Sequence, residues 1–306
     1  MGCGTSKETT KKSVILSAEG KKALASNGWD KGYVAFGFSA SESTAKVATG
    51  LPIAGIKDVK WITTSFDDSP LEDIPEDFDP NMMTPGSKQK LGVKSELFSL
   101  ITGGHALMPC LAIDGEMYTG SDSIVKLLAV DTMDDSDPQK KEVLELIDLS
   151  IKYADVIFEA LKHWGWTGLH SAQDYAMVNK KNYIAYGKGN KSAEWEKETT
   201  DGIKALMGKL EETLAAKPEV NGFFVGDSLT LADSALINWV QSLEGVTGLD
   251  VKKYYPKCYQ NWELVKANPP EGSLHFIYGF PVFCGYVAAT NKDAREAGFD
   301  INKYFE

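Results

Sequence analysis

His105-Ala106-Leu107-Met108-Pro109-Cys110-Leu111-Ala112-Ile113-Asp114-Gly115-Glu116-Met117-Tyr118-Thr119-Gly120-Ser121-Asp122-Ser123-Ile124-Val125-Lys126-Leu127-Leu128-Ala129 decides the fold. It reads as strand, tight turn, strand, helix. The apolar run Leu107 to Ile113 meets Asp114-Gly115, a two-residue hairpin signal, before the second run. After Thr119-Gly120, Ser121 is placed to cap a helix in which Ile124, Leu127 and Leu128 recur at helical spacing. A proline at the start of a strand belongs at an edge or at a special bond.

Working outward, the flanks supply the rest of an α/β unit. Tyr33 to Phe38 reads as a first strand, and Ser39-Ala40-Ser41-Glu42 has capping-box spacing for a helix running toward Gly50, with Pro52 kinking or ending it. Val59 to Phe66, rich in branched and aromatic residues, is the second strand. Asp67 to Pro85 holds seven acids, four prolines and no base, the composition of a long exposed loop. A helix is expected over Lys88 to Ile101.

Beyond Asp131 to Pro138 the strand signals stop. Val143, Leu144, Ile147, Ile151, Ala154, Ile157, Phe158 and Leu161 form a helical stripe, and Ala193 to Lys217 a second amphipathic helix. Thr230-Leu231-Ala232-Asp233 has the spacing of another capping box, with polar Ser234 where a hydrophobic staple would put an apolar residue.

These motifs resemble the glutathione transferase family. Pro-x-Leu-x-x-Asp-Gly followed by Ser-x-x-Ile-x-x-x-Leu-Ala is similar to the glutathione-site half of that family's N-terminal domain, and Phe223 to Asp233 to the box opening its central C-terminal helix. Tyr254-Tyr255-Pro256, with Trp262 and Val265, resembles its penultimate helix. The sigma-like branch, which includes tyrosine-type enzymes and lens crystallins, is nearest. The resemblance implies an α/β thioredoxin-like domain over 32–131, an all-α domain over 138–272, a leader over 1–31 and an extension over 273–306. It also implies a homodimer.

Site residues follow from the same resemblance. A cis Met108-Pro109 bond would let the Met108 backbone pair with the cysteinyl unit of glutathione. Ser121 would hold the γ-glutamyl carboxylate, with Asp122 beside it in the binding set. A helix N-terminus suits an anion physically. Lys88 or Lys90 would reach the glycyl carboxylate. The family activates the thiol with one hydroxyl, from a tyrosine ending the first strand or a serine just after it. Placing Ala54-Gly55 on the family's helix-end pair puts Gly37 at the tyrosine position, leaving Ser39 and then Ser41 as catalytic candidates. Tyr33 would serve only in a shifted register. Gly120 and Leu107 stand where the family often has an amide or acid, so the backbone half of the site is the better preserved.

Two functions are open: conjugation of glutathione to a hydrophobic electrophile, or a non-catalytic structural or ligand-binding role after loss of the hydroxyl. Composition narrows the partners. With 32 basic and 43 acidic residues and a net charge of −11, nucleic acid is disfavoured. Arg295 is the one arginine, so an anion site must use lysine, hydroxyls or amides. Four dispersed cysteines fit reduced thiols in a cytoplasmic protein and show no metal spacing. Met1-Gly2-Cys3-Gly4-Thr5-Ser6 fits N-myristoylation, and acyl chains on Gly2 and Cys3, aided by Lys7, Lys11 and Lys12, would attach the protein to a membrane surface. The aromatic run His275 to Tyr286 would either pack as extra core or wall the mouth between the domains, with Asn291 to Glu306 trailing over the surface.

Overall fold

The computed structural model describes residues 13–39, 41–78, 83–84, 86–105, 108–165, 192–217, 222–270 and 300–306. The acylation motif and the aromatic run 275–286 lie outside these residues. Among the described residues no helix is long and apolar enough to cross a membrane.

The first half is a thioredoxin-like layer. Its strands are β1 (Tyr33–Gly37), β2 (Val59–Ser65), β3 (Glu72–Asp73), β4 (Gln89–Gly92), β5 (Cys110–Ile113) and β6 (Glu116–Thr119), in sheet order β3-β4-β2-β1-β5-β6. β1, β2 and β4 run parallel, and β3, β5 and β6 pair antiparallel with their neighbours. The Asp114-Gly115 turn has φ of 48° and 83°, the conformation that two-residue hairpins favour.

Alternation along β1 decides which layer goes where. Val34 and Phe36 face a core closed by α1 (Ala18–Ser26) and α3 (Glu96–Ile101), whose members include Trp29, Phe98 and Ile101. Ala35 faces α2 (Glu42–Ile53) and α4 (Ser121–Thr132), and this core continues into the second, all-helical domain. Among the described residues that domain contains α5 (Lys140–Ala160), α6 (Ala193–Ala215), α7 (Leu231–Ser242), α8 (Val251–Tyr254) and α9 (Pro256–Ala267), with π-helical turns at Leu161–Gly165 and Leu243–Thr247.

α2 and α7 approach closely because Gly50 faces Ser234: a Cβ on Gly50 would stand 3.2 Å from the Ser234 hydroxyl. This explains the polar residue where a staple was expected, since position 234 must be small and its hydroxyl is satisfied by Leu231 O at 3.0 Å.

Four expectations need correction. Residues 89–92 are a strand rather than helix, because Lys90 to Gly92 extend the sheet beside β2, and α3 starts only at Glu96. The leader is less polar than expected: its short helix forms where the sequence places one, through Ala18 to Ala25, but Val14 bridges to Met117, and Leu16 and Leu24 are buried under the sheet. On α5 the buried stripe runs through Leu146 and Ser150, leaving Ile151 39% exposed. The final residues do not trail over the surface. Ile301 is buried, and Asn302 Nδ2 donates to Gly248 O while its Oδ1 accepts from Asp250 N.

Tyr304 completes that C-terminal latch by donating to Glu196, which also bonds His163 Nε2 at 2.8 Å and lies 3.5 Å from Lys303 Nζ. Burial opposes the Glu196 charge, but the Tyr304 and His163 bonds and the Lys303 charge hold its carboxyl below the usual 4.5. A depressed carboxyl stabilises the fold above its unfolded value and loses that contribution as pH falls through the folded one. The latch is therefore expected to loosen below about pH 4.5. Emission from Trp164 and Trp195, which stack beside Tyr304, would report it. A signal unchanged between neutral pH and the acid limit of the fold would refute the assignment.

Candidate functional site

Topology gathers the expected site at one end of the sheet. β1 ends at Gly37, beside the start of β5 at Cys110, and β6 ends opposite Cys110 at Thr119. The Met108-Pro109 bond, the start of α2 and the start of α4 therefore meet there.

Met108-Pro109 is cis, as the resemblance implied. β5 begins at Cys110, directly after Pro109. The Met108 side chain is half-buried, packs against Phe38, as Phe66 and Phe78 also do, and accepts a hydrogen bond from Thr64 Oγ1 at 3.1 Å.

At α4 the N-cap is Gly120, with φ of 85°, and Ser121 is the first helical residue. This corrects the expected serine cap, because that backbone conformation suits glycine. A glycine has no side chain to satisfy the first-turn N–H groups, so these remain suited to an external anion. Ser121 and Asp122 are 7% and 9% exposed. Asp122 Oδ1 accepts from Lys46 Nζ at 2.8 Å and from Ser150 Oγ at 2.7 Å.

At α2 the capping residue is Ser41, not Ser39: its hydroxyl accepts from Thr44 N at 3.2 Å, and Glu42 is the first helical residue. The Ser39–Glu42 box is thus absent, since two residues more are needed to turn from β1 into the helix. Ser39 is completely buried, and Ser41 and Ser43 are nearly so. A Cβ built on Gly37 would stand 2.6 Å from both Oγ1 and Cγ2 of Thr44, so the Thr44 side chain occupies the space a tyrosine at 37 would need. Tyr33 lies at the opposite end of β1 from Gly37.

The two lysines fall differently. Lys88 is exposed, whereas Lys90 is buried and pairs with Glu72 at 2.5 Å across the β3–β4 ribbon. Lys46 escaped sequence reading altogether. It is fully buried between the two domains, with Nζ 3.3 Å from the centroid of the Trp239 ring.

Comparison with known proteins bears on the fold. The family model described as glutathione S-transferase, C-terminal domain, matches residues 177–270. No curated protein matches. Among solved structures, Ure2p in complex with glutathione is similar at 17% identity and a TM-score of 0.52, over 82% of this chain and 94% of that one. The nitrogen regulation fragment of the yeast prion protein Ure2p matches at 18% identity and 0.52, over 82% and 97%. A glutathione transferase homologue from Lodderomyces elongisporus, with two glutathione molecules per subunit, matches at 15% and 0.51, over 80% and 98%. The chain thus has the glutathione transferase fold, a thioredoxin-like α/β domain followed by an all-helical one.

Proposed function

We propose that this protein binds glutathione, or a closely similar thiol peptide, against Met108-Pro109 and the first turn of α4, and holds it without efficient transfer. One observation carries the choice of binding over conjugation. The hydroxyl positions are closed off: the space beyond Gly37 is filled by Thr44, Ser39 is fully buried and Ser41 is nearly so. A thiol needs an accessible hydroxyl or positive charge to become a thiolate near neutral pH. The glutathione complexes of the structural neighbours support the ligand, and the regulatory description of one of them accords with a binding role.

Conjugation of a hydrophobic electrophile remains the second reading, resting on Ser39 and Ser41 beside the end of β1. Calorimetry with glutathione and turnover of a chloroarene separate the two. Binding with turnover indistinguishable from the buffer rate is the expected result. Turnover that disappears in Ser39→Ala, or in Ser41→Ala, while affinity stays within about twofold would establish the serine enzyme instead. Neither binding nor turnover would leave a scaffold.

The same proposal includes a homodimer of sigma-like type in the cytoplasm. Its Met1-to-Ser6 motif further supports membrane attachment through acylated Gly2 and Cys3.

A further inference from the structure

A fully buried lysine is costly unless its charge is answered. Lys46 projects from the second turn of α2 into the seam between the domains, and three groups answer it. Asp122 Oδ1 accepts from its Nζ at 2.8 Å. Ser150 Oγ, on α5, lies 3.3 Å from Nζ. The Trp239 ring, on α7, presents its face at 3.3 Å. Ser150 ties these together, accepting from Trp239 Nε1 at 2.7 Å and donating to Asp122 Oδ1 at 2.7 Å. Burial pushes the Lys46 ammonium down, and Asp122, in contact at 2.8 Å, opposes this most strongly, which makes Asp122 the principal counter-ion.

Asp122 is therefore not an ordinary ligand residue. It is the second residue of α4, immediately after Ser121, in the turn that would receive the ligand's carboxylate. An unanswered carboxylate there would repel an arriving anion and cancel the helix dipole. Lys46 removes that charge from below, and the helical domain fixes Lys46 from the other side.

We propose that Lys46 is the positioning residue of the ligand site: it neutralises and orients Asp122, so that the first turn of α4 can accept the γ-glutamyl carboxylate of a glutathione-like ligand. The inference rests on the binding function proposed above. It assigns the cation of the anion site to the domain seam, in a chain with one arginine. It also means that the ligand's ammonium does not displace Lys46 from Asp122.

Lys46→Met and the double variant Lys46→Met/Asp122→Asn test it by calorimetry with two probes. One is glutathione, and the other is its analogue with the γ-glutamyl carboxylate converted to an amide. Lys46→Met is expected to weaken glutathione on the order of tenfold, through one uncompensated charge, and to leave the amide analogue nearly unchanged. The double variant, which buries no charge at either position, regains most of the lost affinity. Should Lys46→Met fail to fold, Lys46→Gln takes its place with the same two probes: a loss confined to glutathione supports the proposal, and unchanged affinity for glutathione overturns it. Equal glutathione affinity in wild type and Lys46→Met overturns the inference and leaves the binding function standing. Equal losses for both probes, or a folded double variant that binds no better than the single one, would mean that the lysine serves the domain seam alone. A wild type that binds no glutathione overturns the inference and the binding function together.

Discussion

Asp233→Ala is expected to destabilise the protein by on the order of 3–5 kcal/mol, since each buried donor left unsatisfied costs about 1–3 kcal/mol. The carboxylate is fully buried and receives four donors. Thr230 N and Thr230 Oγ1 reach it at 2.9 Å, Asn261 Nδ2 at 3.1 Å and Phe224 N at 3.2 Å. It thereby closes the capping box of α7 and also ties in α9 and the segment before Thr230. Asp233→Asn keeps one acceptor but must turn an amide toward donors, so its loss is smaller yet still large. Urea unfolding of both variants checks the order. An alanine variant within about 1 kcal/mol of wild type would show that solvent or rearrangement replaces the carboxylate.

Trp239→Ala is expected to cost about 3–5 kcal/mol, the range for removing a large buried aromatic. The indole is fully buried, packs edge-on against Phe158 at 5.4 Å, covers the Lys46 ammonium and donates to Ser150. Trp239→Phe retains a ring beneath the ammonium and loses the N–H donor, for roughly 1–2 kcal/mol. Unfolding midpoints of the two variants separate ring from donor. If they fall together, the indole acts through its hydrogen bond, and if the phenylalanine variant matches wild type, through its volume.

Reading this chain from its residues succeeded where local chemistry dictates the conformation. Asp114-Gly115 can adopt positive φ twice in succession, and Thr230 with Asp233 closes a box within one turn, so neither depends on distant partners. It failed where a remote neighbour decides. Gln89 to Gly92 becomes a strand because β2 offers an open edge, and Ser41 takes the cap from Ser39 because of the distance needed to leave β1. Lys46 was missed because Glu42 and Lys46 sit at the spacing of an ordinary solvated pair on a helix. The available signal lay around them. Ala45, Val47, Ala48 and Leu51 leave α2 apolar on nearly every side, and such a helix is buried together with its one lysine. The cis bond was legible in Met108-Pro109, whereas the cap of α4 fell to Gly120 rather than Ser121. The hydroxyl half of the site was not legible, because burial of Ser39 cannot be read from spacing.

The contact between Gly37 and Thr44 has a bearing on how this site could change over generations. A side chain at 37 finds its first carbon already overlapped by a threonine anchored at the head of α2. A tyrosine-type neighbour is therefore not one substitution away: the threonine must shrink before, or together with, the arrival of the larger residue. Either order passes through an intermediate, one with a hole beside the sheet and the other with a clash against it. Substitutions at 37 and 44 should consequently travel as a pair among descendants of this chain, and the glycine is held in place by its neighbour's bulk as much as by any role of its own.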